Sequence, residues 1–396
     1  MPESQQSEPT GGLSRNVVVL SVVSFLTDVH SEMLLPLLPA FFRNVLRLDK
    51  TAIGMVEGIA EAAASLLKMA SGWWSDLVGK RKPFVVAGYT VSAAAKPFWA
   101  FAMGGLHALL VRLGDRTGKG LRTSARDALI ADSSTETQRG QAFGFHRMMD
   151  TAGALLGTML AFGLFRLLDE NYRRLFLWAA VPGVLAIAVV VLGVREVPRR
   201  ETRERKVPGL RGVGGHFVVF LVAHTLFSVG NFSYAFFLLR AHELGVAEGL
   251  APIIYLLYNA VYTAFAYPAG TLSDWAGGRL ALVLAYGTYA ATCCGLALAG
   301  APLHAWLLFA FFGVHSAIVD PVARTVASQL IEPERRGSGL GMFHMLAGLA
   351  AFPASLLAGL LGDRAGDAAP FVVGAALAAV AALVVGLGLP ARPRAS

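Results

Sequence analysis

Between Leu106 and Asp132 an otherwise apolar stretch carries Arg112, Asp115, Arg116, Lys119, Arg122, Arg126 and Asp127. Wound as a helix at about 100° per residue, its arginines and lysine fall within an arc of roughly 120°. A lone charge at a bilayer centre costs about 2.5–3.5 kcal/mol on insertion scales, so such a row cannot face lipid and must line a polar interior. Upstream, Asp28 and Glu32 stand four residues apart and share a helical face, with His30 beside them and Pro36 and Pro39 beyond, where a bend would free backbone groups. Glu57, Glu61 and Lys68 differ by about 40° or less around a helix axis and form a second stripe. Lys96 precedes Pro97, and His146 and Arg147 lie one turn from Asp150.

Two chemistries fit these residues. In the structural one, carboxylates pair with Arg112, Arg116, Lys119 and Arg122 and no solute touches them. In the other, Asp28 or Glu32, then Glu61, carries a proton, while Arg112, Arg116, Lys119, Lys96, His146 and Asp150 hold a solute. Desolvation favours a protonated carboxylate and a nearby cation favours the ionised form, so a solute competing for the cation would couple the two fluxes. Farther along, Tyr255, Tyr258, Asn259 and Tyr262 share a stripe within about 100° of arc, and His224 and Asn231 share a face. Rings with polar tips can grip a partly apolar solute, which adds Asn231, Tyr258 and Asn259 to the expected binding residues. Asp320 and Arg324, four apart, are expected to pair with each other, and His315 and His344 to pack.

The elements that must position these groups are membrane spans. The chain has 396 residues, 55% hydrophobic and only 15% charged, against about 25% charged in an ordinary soluble domain. Apolar runs long enough to cross about 30 Å of hydrocarbon recur at about 16–42, 51–73, 83–104, 106–132, 139–167, 174–194, 215–240, 249–270, 279–299, 302–330, 338–362 and 368–389. The polar start, Met1 to Ser14, does not read as a cleavable signal. Cys293 and Cys294, adjacent inside a span, read as packing residues. Loops after even-numbered spans are the richer in Lys and Arg, which places both termini in the cytoplasm. The net charge of +8 then reflects topology and contact with anionic lipid, not nucleic acid. No nucleotide-binding pair, HExxH or cysteine–histidine metal spacing occurs; Gly114 to Gly120 follows no strand and is no phosphate loop. Neither an enzyme nor a cofactor is expected.

The chain is also two copies of one unit. The polar segment 195–214, with Pro198 and Pro208, reads as a cytoplasmic linker between a six-helix bundle at 1–194 and another at 215–396. Gly72-Trp-Trp-Ser-Asp76-Leu-Val-Gly79-Lys80-Arg81 recurs as Gly270-Thr-Leu-Ser-Asp274-Trp-Ala-Gly277-Gly278-Arg279, each between the second and third spans of its half. Ala125-Arg126 echoes Ala323-Arg324. Repeated six-span halves characterise transporters that bind at the interface of the halves.

The segment Gly72 to Arg81 resembles the loop motif of the major facilitator superfamily, and Gly270 to Arg279 is a similar, weaker copy. Arg112 sits where that superfamily often has an arginine, although Arg116 replaces a glycine four residues later. Gly144, Gly153 and Gly157 have spacings similar to the antiporter motif of drug exporters, but Thr158 stands where that motif has proline and Ala161 where it has glycine. The resemblance implies an all-α membrane protein of twelve transmembrane helices in two pseudo-symmetric six-helix bundles. It implies a gate built from Gly72, Asp76, Gly79, Lys80 and Arg81 near Arg126 and Asp127, with Asp274, Arg279 and Arg324 as second-half counterparts. The function expected is secondary active transport of a small anionic or zwitterionic organic solute by alternating access, coupled to protons and directed outward. The chain would act as a monomer in a bacterial inner membrane, in contact with lipid. Proton-coupled uptake of an organic anion, and a passive channel or lipid scramblase, are the alternatives.

Overall fold

The computed structural model describes residues 13–134, 139–197, 214–331 and 336–390. The side chains at 76, 139–140, 266–267, 269–276, 320, 336–339 and 341 lie outside the described set. Most of the linker, together with Asp76, Asp274 and Asp320, therefore falls outside it.

Each span begins and ends for a local reason. Helix α1 (Arg15–Glu32) starts where the Ser14 hydroxyl accepts the Val17 N–H at 3.4 Å. It stops short of Pro36 and Pro39, and the first crossing is completed by a turn, the short α2 (Leu38–Ala40) and a π-helical turn at Phe41–Val45, the bend that the two prolines predict. Helix α3 (Lys50–Val78) is capped by Asp49, which accepts the Ala52 N–H at 2.7 Å, and ends at Gly79 with φ +69°, a left-handed conformation that glycine adopts without penalty. Helix α4 (Lys82–Ala95) tightens into a 3-10 turn at Lys96–Phe101, around Pro97. Helices α5 (Gly105–Asp132) and α6 (Arg139–Leu167) are unbroken, and α7 (Tyr172–Trp178) with α8 (Ala180–Gly193) forms the sixth crossing.

The seventh crossing is not one helix. It comprises α9 (Gly215–Gly230) and α10 (Tyr234–Glu243), and between them Asn231 leaves helical geometry at φ −89°, ψ 87°. Then come α11 (Ala251–Ala276), α12 (Gly278–Leu298), α13 (Pro302–Gln329), α14 (Arg336–Arg364) and α15 (Ala369–Gly388). Among the described residues, seven stretches are long and apolar enough to cross a membrane on composition alone. Helix α5 is not one of them, because its charges lower its hydropathy; it is tolerated by facing protein.

The packing has a six-span period. In the first half α3 packs on α5, α5 on α4, α4 on α8, and α1 on α6 and α8. In the second half α11 packs on α13, α13 on α12, α12 on α15, and α9 on α14 and α15, the same pairs six crossings later. The fold is thus all-α, with twelve crossings in two pseudo-symmetric bundles. Between them α3 lies against α14 and α6 against α11.

The α3–α14 seam is backbone on backbone. Gly54 faces the Ser355 carbonyl and Gly359 the Lys50 carbonyl, each with no room for a Cβ. Gly153 and Gly157 do the same within the first half, where an added Cβ would sit 2.5 and 2.6 Å from the Phe25 and Val29 carbonyls of α1. Their spacing therefore serves close helix packing.

Candidate functional site

On α5 the basic row turns inward, as its cost in lipid demands, and it is neutralised pair by pair. The Arg112 side chain, 1% exposed, donates to Glu57 Oε2 at 2.7 Å and stands 3.7 Å from Asp115. Asp115 also takes the Lys96 ammonium at 3.1 Å and the Ser92 hydroxyl at 2.6 Å. Arg116 reaches Glu61 at 3.4 Å. The Arg122 guanidinium lies 4.3 Å above the Tyr89 ring, a cation–π contact that holds a charge without a counter-ion.

Lower on the helix, Arg126 binds its neighbour Asp127 at 2.9 Å and reaches Ser24 of α1 at 3.4 Å. Of the carboxylates expected to pair with this row, Glu57 and Glu61 of α3 do so, joined by Asp115 and Asp127 of α5 itself. Among the described residues Asp28 and Glu32 make no ion pair or hydrogen bond, and the Glu32 Oε2 atom is shut off from solvent without a donor there. Lys119 also has no counter-ion within 4 Å among the described residues. Its field and those of Arg116 and Lys96 reach Glu32, while Asp28 lies in the fields of Asp150, Arg122, Lys119 and Arg126. On α6, buried His146 approaches Asp150 at 3.7 Å, with Asp150 Oδ1 otherwise unpartnered.

Across from this charged wall the second half builds an aromatic one. The break at Asn231 opens a cavity of about 240 Å³ lined by Asn231, Phe232, Tyr234, Tyr255, Tyr258, Phe312, His315, Ser316 and Val319. The rings are ordered on one another: Tyr255 on Tyr258 at 5.7 Å, Tyr258 on Phe312 at 5.0 Å and Tyr234 against Tyr255 at 5.5 Å. Tyr258 also donates to Ser316 at 3.1 Å. Tyr234 lies in the fields of Arg112, Glu57, Arg116 and Glu32, and Tyr255 in that of Glu32, so the two walls face each other.

Of the second-half candidates, Asn231 and Tyr258 are at this cavity. Asn259 is not among its lining residues and donates back to the Tyr255 carbonyl at 3.2 Å. His224 does not join Asn231 there: it shares a 2.8 Å hydrogen bond with Tyr286 inside a cluster of Phe220, Phe227 and Phe343. His315 bonds the Ala285 carbonyl at 2.8 Å, as a packing histidine should, yet one side of it borders the cavity.

The expected gate is assembled in part. Arg81 pairs with Asp132 at 3.0 Å, and the Arg81 and Lys82 amides donate to Glu196, each at 2.9 Å. Lys80 is exposed, and Gly72 lets α3 approach Ser124 of α5. Arg126 contacts Asp127 and Ser24 and, among the described side chains, none of that loop; Arg279 reaches the Leu389 carbonyl at 3.4 Å, and Arg324 is exposed.

A second group of contacts was not anticipated and joins the halves at the face opposite the termini. Asp363 Oδ2 accepts the Thr51 amide at 2.7 Å and its hydroxyl at 2.6 Å, and Asp363 Oδ1 accepts the Lys50 amide at 3.1 Å. The Lys50 ammonium meets Glu243 at 2.5 Å and also Asp367. Glu248 accepts from both Asn44 and Tyr172. The acidic residues are scattered through loops and helix ends, so no spacing in the sequence singled them out.

A family model described as Major Facilitator Superfamily matches residues 20–308 and 217–396. An uncharacterized MFS-type transporter of Methanocaldococcus jannaschii is 35% identical over 94% of both chains. Multidrug resistance protein MdtH of Aeromonas hydrophila is 24% identical over 87% of each. Among solved structures, a bacterial homolog of the human lysosomal transporter Spinster, in an inward-facing and occupied conformation, superposes with a TM-score of 0.74 at 17% identity, covering 94% of this chain and 96% of that one.

Proposed function

The chain belongs to the major facilitator superfamily, and from that membership and the two facing walls we propose that it moves a small organic solute out of the cell in exchange for protons. That it is a multi-pass membrane transporter of a small molecule follows from the family. The proton coupling rests on one observation. Glu57, Glu61 and Asp115 are each held by a cation, whereas Asp28 and Glu32 are held by none. A carboxylate locked in an ion pair has little freedom to change protonation; an unpartnered one in a desolvated cleft can do so as the cleft opens and closes. Glu61 therefore ranks behind the two span-one acids. Outward direction is supported by the likeness to a multidrug resistance protein.

The rocking units are the bundles at 1–194 and 215–396, with 195–214 as their tether and both termini in the cytoplasm of a bacterial inner membrane. On this reading the structure has its outer face shut, by Asp363, Lys50 and Glu248, and the monomer is the working unit.

The test uses the purified full chain in liposomes loaded with a bacterial metabolite extract and a pH-sensitive dye. An imposed pH gradient should drive solute-dependent proton movement in the wild type. Asp28→Asn and Glu32→Gln should abolish it while leaving the melting temperature within a few degrees. Coupled flux at the wild-type rate in both variants refutes the assignment.

A further inference from the structure

Once the ion pairs of the charged wall are set aside, the groups left without a counter-ion within 4 Å, among the described residues, include an acid on α1, Glu32, and a base on α5, Lys119. Arg112, Arg116, Lys96 and Arg126 each stand within 4 Å of a carboxylate, of Glu57, Glu61, Asp115 and Asp127 respectively, although Arg112 Nε, Arg116 Nε and two Arg122 nitrogens are buried without a hydrogen-bond partner. Arg122 is covered by the Tyr89 ring. Glu32 of α1 and Lys119 of α5 are not covered. The field of Lys119 reaches Glu32, with the two farther apart than the 4 Å of an ion pair; the field of Glu61 also reaches Lys119, and one Glu32 oxygen is buried with no donor. Opposite charges in a low-dielectric interior attract strongly, and two that stay apart in a transporter's cleft leave a gap that suits a solute carrying both signs. Glu32 also lies in the field of Tyr255, at the edge of the aromatic cavity.

We propose that Glu32 and Lys119 bind the ammonium and carboxylate ends of an amino-acid-like zwitterion, whose apolar or aromatic body enters the cavity lined by Tyr234, Tyr255, Tyr258 and Phe312. This rests on the transport function proposed above and names its solute class. A pure anion would leave Glu32 opposing it, and a pure cation would leave Lys119 doing the same. The volume of about 240 Å³ lies below the roughly 300–1,000 Å³ of drug-sized sites and matches a small metabolite. Rings stacked at 5.0 to 5.7 Å present flat faces to an aromatic or branched side chain. Asp28, one turn from Glu32 and like it unpaired, remains to carry the proton.

The experiment compares three molecules of the same shape: L-phenylalanine, phenethylamine and 3-phenylpropionate. Each is titrated against the purified full chain in detergent, with thermal stabilisation as the readout. The wild type should bind L-phenylalanine at least about tenfold more tightly than either singly charged analogue, since each loses one charge-assisted hydrogen bond. Glu32→Gln should lower L-phenylalanine to the level of phenylpropionate, and Lys119→Gln to the level of phenethylamine, while Glu32→Asp keeps the zwitterion preference. The proposal is overturned if either analogue matches L-phenylalanine on the wild type, if none of the three stabilises it, or if the two amide variants leave the ranking unchanged. Proton-driven flux of the metabolite extract is read separately, so a coupled transporter of some other solute would keep that flux and fail only here.

Discussion

Glu57 and Glu61 sit one turn apart on α3, both opposite an arginine of α5, yet they meet different fates. The Glu57 side chain is 8% exposed and its partner Arg112 1%; the Glu61 side chain is 38% exposed. Removing one member of a buried pair strands the other charge, at about 3–5 kcal/mol, whereas an exposed pair contributes about 0–1 kcal/mol. Glu57→Gln should therefore cost roughly 3 kcal/mol, the low end because Asp115 stays 3.7 Å from Arg112. Glu61→Gln should cost less than about 1 kcal/mol. Chemical unfolding of the two variants in micelles measures the difference, and equal losses would contradict the pairing. The opposed charge stripes on spans two and four were legible in the sequence, because spacing alone puts residues on one face. The Lys96–Ser92–Asp115 cluster was not, since it depends on how α4 is rotated against α5.

Among the elements, the α3–α14 seam is the contact that, on the alternating-access reading, holds the Lys50–Asp363 face closed. Backbone contact at Gly54 and Gly359 lets the helices approach closely, and Asp363 then caps the first turn of α3 from the other bundle. Three donors on one carboxylate make this cap the strongest directional link between the halves at that face. Asp363→Ala should raise the population open at that face. Spin labels replacing Arg47 and Gly245, one on each half, would then report a longer distance component by pulsed electron resonance. A distribution identical to that of the wild type would show that the cap holds nothing shut. At Gly359, Leu should act in the same direction by overpacking the seam, at about 1–3 kcal/mol. The interruption of span seven belongs to this scale too. The run 215–240 reads as one apolar span, and nothing local marks Asn231 as the break; the helix ends where Tyr289 offers its hydroxyl, which accepts the Phe232 amide at 3.1 Å and donates to the Gly230 carbonyl at 2.8 Å.

At the scale of the whole molecule, 34 Lys and Arg outnumber 26 Asp and Glu, and the loops after even-numbered spans are the richer in basic residues. On the orientation proposed above, those loops and both termini face the cytoplasm. A reporter active only in the cytoplasm should work when fused after Ser396 and fail when inserted at Gly366, between α14 and α15. The reverse pattern would invert the molecule and make the Lys50–Asp363 face the inner one. If 195–214 is only the tether proposed above, a protease site placed within it should be cleavable without loss of the proton flux. Loss of flux on cleavage would mean that the tether does more than join.

What the sequence by itself determined is local and periodic. Spans follow from apolar runs matched to the bilayer thickness, inward faces from the cost of charge in lipid, and the two-fold repeat from motifs such as Gly72–Arg81 and Gly270–Arg279. What only the tertiary structure decided is which charge finds which partner. Arg112 took Glu57, Arg116 took Glu61 and Asp115 took Lys96, leaving Asp28, Glu32 and Lys119 without counter-ions among the described residues; the aromatic cavity arose from spans seven, eight and ten together. The physical reason is reach. Periodicity places a side chain on a face of its own helix, but an ion pair within 4 Å depends on the rotation, tilt and depth of two helices that the chain brings together from distant positions.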